Sequence, residues 1–163
     1  MTEQSLEQRI KLIEDELAVQ KLMKTYCKRA DAFDWVGWAE CFTEDSLFEF
    51  HGGFGTMNGK ADILEKCRGS MDHVYSSFIH YIVDIDVDVD GSDRATGTGN
   101  IIFAALTDDD KPTDYLLQGG RYKWEFARTA DGWRIARTLL RFIWNNGADA
   151  DSVFVPDDEK AAA

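Results

Sequence analysis

The chain has 163 residues, the size of a single domain, and carries a net charge of −12. Nucleic-acid phosphates and anionic membranes bind basic surfaces, so this acidity argues against both classes of partner. The chain has three cysteines without a Cys-x-x-Cys pair, a polar N-terminus and no long apolar run. Together these features predict a cytoplasmic protein. We expect neither disulfides nor a transmembrane helix.

The N-terminal third reads as helix. Apolar residues recur at steps of three and four from Ser5 to about Phe33, and Ser5 followed by Gln8 fits a capping box. A second, short helix is predicted from Asp34 to about Phe42. The polar run Thr43–Ser46 is expected to end it.

The rest of the chain reads mainly as strands. Strand structure is predicted to begin at 47–50, followed by a turn at Gly52, Gly53 and Gly55 and a helix over 61–71. Four longer strands are expected over 78–90, 94–106, 115–127 and 133–144. In the first of them Val83, Ile85, Val87 and Val89 alternate with Asp, which predicts that these four share one face. Helices followed by antiparallel strands predict an α+β fold, with one domain over 1–150 and a flexible tail over 151–163.

Sequence motifs for metal, nucleophile or nucleotide chemistry are missing. The three histidines form neither HxH nor HExxH, and there is no GxSxG elbow, P-loop or dinucleotide fingerprint after a strand. His51 and His73 lie beside predicted turns, where a solvated histidine is typical. The sequence therefore favours chemistry without a metal or nucleotide cofactor.

Three residues are candidates for acid–base chemistry. His80 lies near the start of a strand, where it could face a cavity, although a purely structural histidine is an alternative. Asp31 lies near the C-terminal end of the first helix, which is the unfavourable end for a carboxylate. It is either exposed or compensated by a partner such as an imidazole. Tyr26 is either a third member or part of the core, since it lies about 140° from Asp31 around an ideal helix.

The order of these features resembles the SnoaL-like proteins of the NTF2-like superfamily. The resemblance begins at Tyr26–Phe50 and continues through the glycine turn, the helix over 61–71, Phe78–Tyr81 and Gly132-Trp133. It implies a cone-shaped α+β barrel, with the N-terminal helices packed on a curved antiparallel sheet.

Enzyme groups within that superfamily add expectations about the site. Bile-acid 7α-dehydratases are similar in a Tyr-x4-Asp followed by a later His, here Tyr26, Asp31 and His80. Lindane dehydrochlorinase resembles the chain in its Asp–His pair, and scytalone dehydratase has related geometry. The resemblance implies that His80 moves a proton while Asp31 orients it. The dehydratases have a further acidic residue later in the chain, and this sequence has no clear equivalent of it. They also have an arginine near the end of the domain, which aligns with Arg141 to within one residue.

The resulting hypothesis is a cofactor-free lyase for a bulky apolar or aromatic small molecule. The reactions that fit are dehydration, dehydrohalogenation and retro-aldol loss of formaldehyde. The residues expected to bind the substrate are Trp35, Trp38, Phe103, Trp124, Leu140, Arg141, Phe142 and Trp144. The alternatives are a steroid-like ketone isomerase and a non-catalytic binding module. An open sheet in a small domain also predicts a homo-oligomer. The resemblance implies that it is a trimer or a dimer.

Overall fold

A computed structural model describes residues 4–51 and 55–145. The helices are α1 (Leu6–Asp31), α2 (Trp35–Ala39) and α3 (Lys60–Val74). The strands are β1 (Phe42–His51), β2 (Gly55–Asn58), β3 (Ser77–Val89), β4 (Arg94–Leu106), β5 (Tyr115–Thr129) and β6 (Gly132–Asn145). They form one sheet in the order β2-β1-β6-β5-β4-β3, parallel only between β1 and β6. The predicted α+β class is confirmed. Among the described helices, none is both long and apolar enough to span a membrane.

Local features of the sequence set both ends of helix α1. The Ser5 side chain accepts from the backbone N–H of Gln8, and the Gln8 side chain accepts from the N–H of Ser5, which confirms the predicted capping box. At the other end the chain turns through Phe33, whose φ of 55° is left-handed, and Asp34 caps α2 by accepting from Gly37. Helix α1 lies against β3, and this packing brings Asp31 next to the start of that strand.

Strand β1 begins earlier than predicted. The run Thr43–Ser46, expected to end a helix, belongs to β1, which pairs in parallel with β6 through an irregular register between Phe42 and Leu47. The partners on β6 lie on either side of this run, at Phe42 and from Leu47 onward, and the carbonyl of Ser46 accepts from the backbone N–H of Gly59. The short strand β2 was not predicted. Gly52, Gly53 and the tail over 151–163 lie outside the described residues.

A bulge divides β3 into two halves with opposite phase. Asp84 and Ile85 lie opposite Gly99 alone, and Asp84 has a φ of 53°. Beyond the bulge the odd-numbered residues face inward, as predicted, but before it the even-numbered ones do. The predicted placement of Val83 was therefore wrong, since its side chain is 45% exposed. The same change of phase turns His80 towards the interior.

A second bulge changes the end of β6. Phe142 pairs with Gly120 and Trp144 pairs with Gly119, so Ile143 is the extra residue. Before this bulge the side chains from Arg137 to Phe142 alternate regularly, with Thr138 and Leu140 buried on the inner face. Beyond the bulge Trp144 lies on the opposite face, over Gly119.

Candidate functional site

The space between the helices and the inner face of the sheet contains an apolar cavity. Its empty volume, open mouth included, is about 510 Å³. Eight of its fourteen lining residues are Phe, Tyr or Trp, drawn from α1, α2 and the four inner strands of the sheet. The acid–base and hydroxyl groups among the lining residues are His80, Tyr26 and Tyr122. A lining of this kind suits an apolar molecule better than a charged one.

Asp31 and His80 are in contact at one wall of this cavity. Their Oδ1 and Nδ1 atoms are 2.6 Å apart, and the same Oδ1 accepts the backbone N–H of His80 at 3.0 Å. Their side chains are 23% and 11% exposed. These two hydrogen bonds offset the unfavourable position of a carboxylate at a helix C-terminus. An ionised carboxylate can only accept, so Nδ1 carries a hydrogen and Nε2 of the neutral ring is free to accept a proton.

The two members of this pair face different spaces. His80 lines the cavity, and it also lines an open groove between α1 and β3 in which Asp31 lies. A ligand in the cavity would thus meet the imidazole, with the carboxylate behind it. This arrangement matches that of a general base and its orienting partner.

Tyr26 reaches the cavity directly, although it lies on a different side of α1 from Asp31. Its ring centroid is 6.2 Å from that of His80, and its hydroxyl is 3.5 Å from the hydroxyl of Tyr122 on β5. Both tyrosines are almost completely buried, and this burial raises the pKa of each phenol. Both are therefore neutral hydrogen-bond donors at neutral pH. The sequence analysis missed Tyr122, although the inward alternation of β5 could have identified it.

Five of the predicted substrate-binding residues line the cavity. They are Trp35, Trp38, Phe103, Leu140 and Phe142. Trp35 is held in place by a hydrogen bond from its Nε1 to Asp72 on α3. These aromatic side chains give the cavity its apolar character.

The other three predicted substrate-binding residues lie elsewhere. Trp124 packs deeper in the core, stacked on Tyr122 at a centroid distance of 4.7 Å. Arg141 is exposed because it follows the inward-facing Leu140 in the strand alternation. Trp144 is on the outer face because of the bulge at Ile143. For these three positions the structure differs from the prediction.

The described residues offer little for metal or thiol chemistry. Nowhere in the described ranges do three or more His, Cys, Asp or Glu side chains form a group that could hold a metal ion. Cys67 lines the cavity, but burial raises the pKa of its thiol to about 12. The thiol is therefore protonated at neutral pH and is a poor nucleophile.

Comparisons with known proteins agree with this architecture. A variant of Rv3472, a protein of unknown function from Mycobacterium tuberculosis, is 31% identical, covers 78% of this chain and 75% of its own, and has a TM-score of 0.67. An NTF2-like protein with a cystatin-like fold from Novosphingobium aromaticivorans is 25% identical, with coverages of 91% and 94% and a TM-score of 0.71. The hexachlorocyclohexane dehydrochlorinase LinA-type3 from Novosphingobium barchaimii is 18% identical, with coverages of 86% and 94% and a TM-score of 0.74.

The search of curated proteins gave no significant match. The SnoaL-like domain family matches residues 11–138, which include most of α1, both tyrosines, His80 and most of the sheet. Over this span the order of helices and strands is the one that the resemblance of the sequence implies. The chain belongs to the SnoaL-like domain family.

Proposed function

We propose that this protein is a cofactor-independent lyase that eliminates a leaving group from a bulky apolar or aromatic small molecule. The observation that carries this proposal is the 2.6 Å contact between Asp31 Oδ1 and His80 Nδ1 beside an apolar cavity that His80 lines. A His–Asp pair of this kind abstracts protons without a metal or cofactor.

The mechanism uses three side chains. Nε2 of His80 takes a proton from a carbon or hydroxyl of the substrate, while Asp31 holds the tautomer and stabilises the imidazolium that forms. The bonding electrons of the departing proton form the new double bond as the leaving group departs with its own electron pair. Tyr26 donates a hydrogen bond to the leaving group or to a substrate oxygen. Loss of water, of hydrogen halide or of formaldehyde are all reactions of this type.

The position of the carboxylate favours a lyase over a ketone isomerase in this cavity. An isomerase of the steroid type uses a carboxylate base that faces an oxyanion donor. Oδ1 of Asp31 is already occupied by two hydrogen bonds from His80, and the carboxylate lies in the groove behind the imidazole. The imidazole is therefore the base in our proposal.

Substitution of His80 tests the proposal. Compounds that co-purify with the protein define the class to assay, and products are followed by mass spectrometry. His80→Gln should lower turnover by about 10²–10⁴-fold, the usual contribution of a general base. His73→Gln, at an exposed histidine near the end of α3, is the matched control. Full activity in His80→Gln rejects the proposal. A product of unchanged mass would indicate an isomerase, and binding without turnover a non-catalytic module.

We also propose that the protein forms a homo-oligomer, either a trimer or a dimer, through the outer face of the sheet. Exposed apolar residues cluster on this face where β3 and β4 pair. They are Ile79, Tyr81, Val83 and Ile102. A second copy of the chain would remove them from water.

A further inference from the structure

The first half of α1 carries an apolar stripe that the fold leaves in water. Its four members are between 46% and 69% exposed, although their spacing is part of the pattern that predicts the helix. They are Leu6, Ile10, Ile13 and Leu17. Steps of four, three and four residues are those of the d and a positions in the seven-residue repeat of a coiled coil. A stripe of this kind is typical of a helix that packs against another helix.

The stripe faces away from the domain to which it belongs. Val19 and Met23, which α1 buries in the core, lie about 130° from the stripe around the helix axis. Asp15 is also buried, and it accepts hydrogen bonds from Arg128 on β5 and Trp133 on β6. These contacts fix the rotation of the first half of α1. A partner can therefore approach the stripe from the side opposite the domain.

The charged residues beside the stripe indicate which partner fits. In this register Arg9 and Glu16 occupy g positions, on one side of the stripe, and Glu14 and Lys21 occupy e positions, on the other. In the described parts of the chain none of these four side chains takes part in a salt bridge. Their charges are therefore available to a partner.

A second copy of the chain, parallel and in register, pairs all of these charges. In a parallel pair of helices each g residue faces the e residue five positions later on the other helix. Arg9 would meet Glu14 of the second copy, and Glu16 would meet Lys21 of the second copy. The twofold axis repeats both attractive contacts. In the antiparallel arrangement Glu7 would instead lie against Glu14 of the second copy, and the two carboxylates would repel each other.

We propose that this stripe joins two copies of the chain in a short parallel coiled coil along the first half of α1. The contact is separate from the outer face of the sheet and does not depend on the proposed catalysis. A free helix of this length would be marginal in water, but here the helix is already held by its own domain. The seam ends at the exposed Lys24, which occupies the next a position. Because acidic residues flank the stripe, an anionic membrane is a poorer partner than a second copy.

Sedimentation equilibrium in the Tyr81→Glu background tests the proposal, because this substitution removes the proposed contact through the sheet. The mass should rise from one chain to two as the protein concentration rises. Ile13→Glu should weaken this association at least about tenfold, since a charge would be buried in the seam. Ala18→Glu, at an exposed position of α1 away from the stripe, is the matched control and should leave it unchanged.

Two results of this experiment would overturn the proposal. One is a mass of a single chain at every concentration. The other is a lower unfolding temperature in Ile13→Glu with no change in mass, which would mean that another segment of the same chain covers the stripe.

A charge exchange tests the contacts beside the seam. Arg9→Glu and Glu14→Arg each place like charges opposite each other and should each weaken association about fivefold. The double variant should recover the wild-type association. Residues 9 and 14 of one helix lie about 140° apart, so recovery cannot come from a contact within one chain. Lys11→Glu makes the same change of charge on another side of α1 and serves as the control. A double variant that stays weak overturns the parallel pairing.

Cysteine crosslinking tests the register directly. The half-buried Cys27 is replaced by Ser, and oxidised glutathione is added to link the introduced cysteines. Ile13→Cys should form a disulfide with position 13 of a second copy, because equivalent d residues face each other across a parallel seam. Ala18→Cys should not crosslink. In a mixture with Ile10→Cys that carries a longer tag, preferential linking of position 13 to position 10 would indicate an antiparallel pair and overturn the proposal.

Discussion

Replacing Asp31 by Asn should separate the charge of the carboxylate from its role in orienting the imidazole. Both hydrogen bonds from His80, one from Nδ1 and one from its backbone N–H, end on the same Oδ1. In Asp31→Asn the backbone N–H still requires an acceptor at that point, so the amide oxygen and not the NH₂ group should occupy it. The ring then keeps its orientation and tautomer, and only the negative charge is lost.

The expected magnitude follows from the difference between two kinds of hydrogen bond. A hydrogen bond to a charged group is worth about 1.5–3 kcal/mol and a neutral one about 0.5–1.5 kcal/mol. Both side chains are less than one quarter exposed, so solvent screening is limited. The imidazolium formed during proton transfer should therefore lose about 1–1.5 kcal/mol of stabilisation, which is about a tenfold fall in kcat/KM. Asp31→Ala removes charge and orientation together and should cost at least about 100-fold.

Steady-state kinetics on the substrate identified by co-purification would measure both effects. Asp34→Asn is the control, because Asn replaces the exposed capping carboxylate of α2 with an equally good cap. Equal losses in Asp31→Asn and Asp31→Ala would refute the reasoning, since they would mean that the amide turns its NH₂ group towards the ring. Full activity in Asp31→Asn would also refute it, because the charge would then have no role.

Three further predictions concern stability and assembly. The hydrogen bond from Arg128 to Asp15 holds the pKa of this carboxyl below its usual range in the folded protein. The pair therefore stabilises the fold at a pH above the unfolded-state pKa of Asp15. This stabilisation is lost as the pH falls through the folded-state pKa. Urea unfolding should show Asp15→Asn to be about 2 kcal/mol less stable at pH 7, and this difference should shrink as the pH falls below the usual range of a carboxyl pKa. Asp84→Gly should preserve the bulge, and Asp84→Val should cost about 1–2 kcal/mol in the same assay, because a β-branched residue disfavours a φ of 53°. Tyr81→Glu should lower the oligomer mass measured by light scattering, and an unchanged mass would place the interface elsewhere.

Local sequence patterns were sufficient for most of the secondary structure. The capping box at Ser5 and the bounds of β4 agree with the structure because each is set by neighbouring residues. Strand β1 was misjudged at Thr43–Ser46 because the strand that pairs with the residues on either side of this run, β6, lies about 90 residues later in the chain. Strand β2 was missed because four residues with one buried side chain give too short a pattern.

The site was less accessible to sequence reasoning than the fold. Asp31 and His80 are 49 residues apart, and no spacing rule predicts that the end of a helix and the start of a strand will meet. Their pairing was expected only through the family resemblance. Leu140 and Phe142 were expected to bind the substrate and do line the cavity, because they lie on a regularly alternating part of their strand. Trp144 was misplaced because one inserted residue reverses the phase of a strand.

The bulge in β3 decides whether His80, the proposed base, faces the cavity. Ile85, Val87 and the other odd-numbered residues of this half face inward, and the same alternation continued backwards without a break would turn His80 outward. The extra residue at Asp84 reverses the phase, so that the imidazole faces the cavity and can reach Asp31.

The bulge in β6 acts on the other side of the same cavity. At Ile143 the insertion places Trp144 on the outer face, over Gly119, and so keeps its indole out of the cavity that Phe142 lines. Without their bulges β3 and β6 would bury a larger apolar surface. However, His80 would then face away from the cavity, and Trp144 would fill part of the space that a ligand would occupy. This is a physical reason to keep these two bulges in the strands that line the cavity.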